Sequence, residues 1–156
     1  MQIVSDTSPL IILKKSKAIF ILEELFEKVL IPVSVQRELF KREKKFFSSL
    51  QILQAVSVKD DNLCRALEVV VDEGEAEAMA LAMKLNLPML IDDLKGRIVA
   101  EKLGLKIIGC LGLLKIAKDR KIITEAKPFI QNFINNGYYI DEVLVERFLD
   151  SLGEKW

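Results

Sequence analysis

The sequence predicts an α/β protein built on a parallel sheet. Short apolar runs at Gln2–Ser5, Lys28–Ile31, Met89–Ile91 and Leu105–Ile108 suit strands buried on both faces. Segments with helical apolar spacing separate them, and that alternation of strand and helix is the order of an α/β fold with a parallel sheet. At 156 residues the chain has the length of one domain. A core at this size buries roughly 68–70% of the surface that the unfolded chain exposes.

Taken in order, Gln2–Ser5 forms the first strand. Asp6-Thr7-Ser8-Pro9 then supplies capping side chains and a proline suited to a helix start, followed by Leu10, Ile11 and Leu13. Ala18–Glu27 is an amphipathic helix with Ile19, Leu22, Leu25 and Phe26 on one face and Glu23, Glu24 and Glu27 on the other. Lys28–Ile31 is the second strand, stopped by Pro32. Ser34 opens a helix with Val35 and Leu39 inward, Arg37 and Lys41 outward, and Glu38 near its second turn. Lys41, Arg42, Lys44 and Lys45 beside Phe46 and Phe47 form a local concentration of base with aromatics, ordinarily a solvated face and otherwise a segment that meets RNA or packs under a helix.

Ile52–Val58 alternates as an edge strand, and Lys59, Asp60, Asp61 and Asn62 make a polar turn before a helix containing Cys64 and Leu67. Asp72, Glu73, Gly74 and Glu75 precede a small-residue helix over Ala76–Leu85, with Glu75 in its first turn. Asn86–Pro88 ends that helix, Met89–Ile91 is a strand closed by Asp92-Asp93, and a helix over Leu94–Leu103 is broken by Gly104. Leu105–Ile108 is the last strand, leading into a helix over Gly109–Lys118. Thr124–Trp156 reads as wholly helical, divided by Asn136-Gly137, and is expected to pack on the core or form a dimer surface as an extension of a single domain 1–156.

Composition narrows the chemistry. The chain has no histidine, so neither a Ser-His-Asp triad nor an imidazole base is available, and Cys64 and Cys110 read as separate buried thiols. Lys plus Arg equals Asp plus Glu at 23 each, so any polyanion must be held locally. Neither G-x-x-x-x-G-K-[ST] nor G-x-G-x-x-G occurs. No apolar run approaches the roughly 20 residues of a membrane span, and the basic start of a secretory signal is missing, so a cytoplasmic protein that avoids membranes is expected.

Catalysis must then rest on carboxylates, lysines or metal. Asp6 and Asp93 each follow a strand and Glu75 begins a helix between strands, so a parallel sheet brings them to its carboxyl edge. Carboxylates gathered without basic partners predict raised pKa values or a bound cation, and Mg²⁺ or Mn²⁺ suits an oxygen-only donor set that leaves room for water. Singly, Asp6 and Asp93 could be helix caps, Glu75 a favourable charge at a helix start and Glu38 a solvated face.

The segments VSDTSPLI, VSVQREL, DEGEAEAMALA and LIDDLKGRIVAEKLGLKIIG resemble the PIN-domain superfamily over roughly Gln2 to Lys121. The GEAEA helix start, the DD-x-x-x-R segment and the G-x-x-G-L-L turn at Gly109–Leu114 are similar to a prokaryotic branch of it. The resemblance implies a three-layer α/β/α sandwich, Mg²⁺- or Mn²⁺-dependent ribonuclease activity, and a toxin held by a small antitoxin protein. It implies catalytic and metal-binding roles for Asp6, Glu38, Glu75 and Asp93, with Glu75 standing where aspartate is usual, and Glu77 or Asp92 as alternatives for the last two. Ser8 matches a hydroxyl that orients the first acid, and Arg97 is placed to approach the acids or a phosphate. RNA substrate and a homodimer complete this expectation. One rival is a PIN-like module that binds metal or RNA without turnover. Another is a phosphatase or phosphoacceptor domain, disfavoured by Ser8 where a second aspartate is wanted and by the acidic pair lying far downstream.

Overall fold

The computed structural model describes residues 1–58 and 62–156. Five strands, β1 (Gln2–Ser5), β2 (Lys28–Pro32), β3 (Leu53–Val56), β4 (Met89–Leu90) and β5 (Ile107–Ile108), form one sheet in the order β3-β2-β1-β4-β5 with every pairing parallel. Because side chains alternate along a strand, the sheet faces two cores. Ile3, Val29, Ile31 and Leu90 enter one, while Val4, Leu30 and Met89 enter the other, joined by Ile91 just beyond β4.

The helices are α1 (Thr7–Lys15), α2 (Ile19–Leu25), α3 (Val33–Ser49), α4 (Asn62–Leu67), α5 (Glu73–Leu85), α6 (Leu94–Lys102), α7 (Cys110–Asp119), α8 (Lys127–Asn135) and α9 (Glu142–Ser151). Those connecting β1 to β2 and β2 to β3 bury Leu13, Leu22, Val35 and Leu39 in the first core with α7, α8 and α9. Those connecting β3 to β4 and β4 to β5 bury Leu67, Met79, Leu81 and Ala100 in the second. The chain is therefore the expected three-layer α/β/α sandwich, and burial on both faces explains why its strands read as continuous apolar runs.

Several expected boundaries move. The helix anticipated over Ala18–Glu27 is confined to α2, since Phe26 is already extended, and β4 and β5 are shorter than the apolar runs that contain them. The basic and aromatic segment is part of α3, with non-helical dihedrals at Glu43. Phe47 is buried against the first core, Phe46 meets it edge-on at 5.1 Å, and Lys14 lies over the Phe46 ring while pairing with Glu43 at 2.7 Å. Those rings therefore serve packing. Of the polar turn at Lys59, Asp60, Asp61 and Asn62, the first three residues lie outside the described residues. Both cysteines are buried thiols outside any disulfide, as expected.

The C-terminal third is two helices divided at Asn136-Gly137 as expected, but it is not wholly helical: residues 136–141 are irregular, with Gly137 at φ +91°. Phe133, Val145 and Leu149 are fully or nearly fully buried in the first core. The tail is fastened by Glu154, whose carboxylate accepts from the amides of Ala126 and Lys127 at the start of α8 and pairs with Lys118 at 2.7 Å. Burial pushes the Glu154 carboxyl up, but those donors outweigh it and hold it below its ordinary value. Ala126 cannot cap α8 itself, so Glu154 supplies the cap from a distance. Glu154→Ala is expected to lower the unfolding free energy by about 1–2 kcal/mol in urea titrations at neutral pH. The deficit relative to wild type should shrink as pH falls and the wild-type carboxylate protonates.

Candidate metal centre

β1 and β4 are neighbours although β2 and β3 lie between them in sequence, so the strand order reverses there. The crevice beyond the carboxyl ends at such a reversal is where parallel α/β sheets take ligands. The Asp6 amide donates to the Leu90 carbonyl at 3.1 Å, continuing the β1–β4 ladder and bringing Asp6 level with the end of β4. Asp92 and Asp93 follow immediately. On the second face, Ala76, Ala78, Ala80 and Ala82 are buried, and these small side chains let α5 pack closely on β1 and β2, carrying its N-terminal acids to the same edge.

Each acid is held differently. Asp6 occupies the N-cap position of α1 with its side chain making no capping hydrogen bond, and it is only 5% exposed. Glu75 is also buried, its Oε2 2.7 Å from where a Cβ on Gly96 would stand, with Asp93 Oδ2 3.4 Å from that point. Asp93 is exposed and caps α6 by accepting from the Gly96 amide at 2.8 Å. Glu38, exposed on α3, accepts from Thr7 Oγ1 at 3.0 Å, which ties it to the turn after Asp6. Asp6 Oδ1 and Asp72 Oδ1 both lie beside Gly74, at 3.8 and 3.6 Å from its absent Cβ.

The electrostatics join these groups. Burial pushes the Asp6 carboxyl up to about 7, the Thr7 amide opposes this, and the charges of Asp72, Glu38 and Asp93 add to it. Burial pushes Glu75 up to about 8, with Asp6, Asp72 and Asp93 adding repulsion and a hydrogen bond to Asp72 favouring the protonated form. All four acids expected from the sequence therefore share one field. Among the described residues, no three Asp, Glu, Cys or His side chains stand close enough to enclose an ion as they are. The donor set is nonetheless all hard oxygen, and the buried, uncapped Asp6 carboxylate is the kind of group whose charge a divalent ion relieves.

The other expected residues have different surroundings. Asp92 Oδ1 accepts from the Cys110 amide at 2.9 Å and from Tyr138 Oη at 3.0 Å, joining β4 to α7 and to the α8–α9 connection, while its Oδ2 is buried without a partner. Burial and Asp92 together push the Cys110 thiol well up, so it stays neutral. Arg97 lies with Asp92 against Gly109, where a Cβ would clash with the guanidinium. Glu77 accepts from Ser34. Ser8 is exposed, and the neighbouring Thr7 hydroxyl donates to Glu38.

Asp72 is the acid that sequence reasoning passed over. It caps α5 by accepting from the Glu75 amide at 2.8 Å and raises both Asp6 and Glu75. Its signal was legible: aspartate three residues before a glutamate at a helix start has the spacing of a capping box. Beside the acids runs a cleft of about 430 Å³ to which Glu38 and Asp93 contribute, with Lys15, Arg42, Asn136, Tyr138 and Tyr139 on its other walls.

A parallel three-layer domain with acids gathered beyond its two central strands defines the class of α/β protein to which the chain belongs. The DUF3368 family model, described as a PIN domain, matches residues 2–154, and the chain belongs to this family of the PIN-domain superfamily, a nuclease-type superfamily. The match runs past Lys121 through α8 and α9, further than the resemblance alone suggested. A solved PilT N-terminus domain protein from the hyperthermophilic archaeon Sulfolobus solfataricus P2 is similar in fold, with TM-score 0.51 and 23% identity over 75% of this chain and 93% of that one. No curated protein matches the sequence.

Asp6 and Glu75 hold protons in the folded chain that their unfolded forms, at 3.8 and 4.5, release. Their stabilising contribution is complete below those ordinary values and is lost as pH rises through about 7 and 8. The urea midpoint of the metal-free protein should therefore fall between about pH 5 and about pH 9. Asp6→Asn should flatten that profile and be the more stable protein at the alkaline end, whereas a wild-type midpoint that rises with pH would contradict the crowding of these acids.

Gly96→Ala sets a helix-propensity gain of about 1 kcal/mol against an overpacking cost of about 1–3 kcal/mol. Its Cβ would meet both Glu75 Oε2 and Ile91 Cδ1 at 2.7 Å. Net destabilisation in thermal unfolding is the expected outcome, with Glu75→Gln unable to relieve the contact with Ile91.

Proposed function

We propose that this chain is a divalent-metal-dependent endoribonuclease whose ion rests on Asp6 and Asp93, with Glu38 and Glu75 as direct or water-mediated ligands. The observation that carries this reading is the buried Asp6 carboxylate, free of any capping bond and raised by burial and three neighbouring acids. Mg²⁺ or Mn²⁺ bound there would supply Lewis acidity toward a phosphoryl oxygen and a water of lowered pKa. Asp6 and Glu75 would hold the ion in their deprotonated forms. Glu38, oriented by Thr7 Oγ1 and exposed on the cleft, faces the solvent from which an attacking water arrives. Lys15 and Arg42 on the same cleft offer positive charge to the phosphate backbone.

A second reading, a domain that binds metal or RNA without turnover, is favoured by the equal numbers of basic and acidic residues and by Glu75 standing where the resemblance has aspartate. A toxin role with a small antitoxin belongs to the same proposal. Val143 and Leu144, exposed on α9, give such a partner apolar surface, or a second copy in a dimer.

Purified protein incubated with single-stranded RNA and Mg²⁺ or Mn²⁺ is expected to cut it. Chelation should abolish cleavage, and Asp6→Asn should reduce it by about a hundredfold or more, the scale of losing a group that stabilises transition-state charge. Saturable metal binding with no cleavage would favour the second reading, and equal cleavage by both proteins would reject this site.

A further inference from the structure

We propose that the cleft beside the acids takes single-stranded RNA with one base stacked on the ring of Tyr139. This rests on the ribonuclease reading and adds the residue that holds a base. Tyr139 is 93% exposed, the most exposed large ring or aliphatic side chain among the described residues, and it lines the same cleft as Glu38 and Asp93. An aromatic ring left almost wholly in water gains by burial against another flat apolar surface.

Its neighbour shows why this ring is poised and not merely loose. Tyr138 donates its hydroxyl to Asp92 at 3.0 Å and packs its ring on Phe133 at 5.6 Å. The irregular segment between α8 and α9 is thus pinned to the residue preceding Asp93, and Tyr139 is held at the acid-lined cleft. The ordering that a free loop would have to undergo on binding is largely complete beforehand.

Charge arithmetic points the same way. The chain carries 23 basic and 23 acidic residues, and the cleft offers two cations, Lys15 and Arg42. Two phosphate contacts on a single strand give a log–log salt slope of only about −1.4, too little for backbone attraction to supply the affinity alone. Base stacking is the complement that a nearly neutral surface needs, and Tyr139 is the face available for it. A duplex keeps its bases stacked inward, whereas a single strand can present one to the ring.

The test uses the full chain and an RNA oligonucleotide carrying 2-aminopurine, with Ca²⁺ in place of Mg²⁺ and the RNA checked as intact on a gel. Wild type should bind and quench the fluorescent base, with a salt slope near the value above. Tyr139→Ala should weaken binding by about fivefold to a hundredfold and abolish the quenching, and Tyr139→Phe, which keeps the ring face, should restore both. Tyr138→Phe should reduce the quenching while leaving the salt slope intact.

Equal affinity and quenching in Tyr139→Ala, or no RNA binding by wild type, would overturn the proposal. Failure of the ribonuclease reading looks different: Tyr139-dependent quenching would persist while RNA stayed uncut with Mg²⁺ or Mn²⁺. Conversely, RNA cleaved by Tyr139→Ala with wild-type KM would sink the stacking proposal and leave the nuclease standing.

Discussion

The burial of the Asp6 carboxylate at the end of the central strand, within the field of Asp72, Glu38 and Asp93, is the constraint around which the rest of the structure is arranged. A carboxylate at the start of a helix ordinarily caps it. Asp6 sits where that bond would form and does not make it, so beyond what the Thr7 amide offsets, its negative charge is left to be met by a proton or by a cation. Glu75, raised in the same way, extends the problem to α5. The apoprotein answers with protons, and a divalent ion would answer with charge.

Small residues allow these acids to approach at all. The alanines of α5 let its N-terminus ride close over β1 and β2, and Gly96 leaves room for Glu75. Two of the acids also perform local work, since Asp72 caps α5, which carries Glu75, and Asp93 caps α6. Capping and ligation are compatible because a carboxylate has two oxygens, and a cap that fixes one directs the other. Backbone geometry, helix termini and charge are therefore settled together at one edge of the sheet.

Much of this was legible in the residues. Strand one was readable to its exact ends because an apolar run followed by Asp-Thr-Ser-Pro leaves little choice, and the parallel order followed from strand–helix alternation. Less visible was anything decided by contacts distant in sequence. Nothing local says that Asp92 would serve Cys110 and Tyr138, that Glu154 would cap α8, or that Phe47 would turn inward from a basic run. Asp72 was visible as a cap but not as a member of the acid field, because its second role depends on how closely α5 approaches β1. Tyr139 carried no motif, and its meaning comes from the loop that Tyr138 anchors.

A cation site at these acids requires a metal to displace the protons they hold. Calorimetric titration of the wild-type protein with Mn²⁺ near pH 7.5, in two buffers of different ionisation enthalpy, measures both binding and proton release. Saturable binding is expected, with roughly one proton released per ion, drawn from Asp6 and Glu75. Binding with no proton release, or no saturable binding at millimolar Mn²⁺, would contradict it.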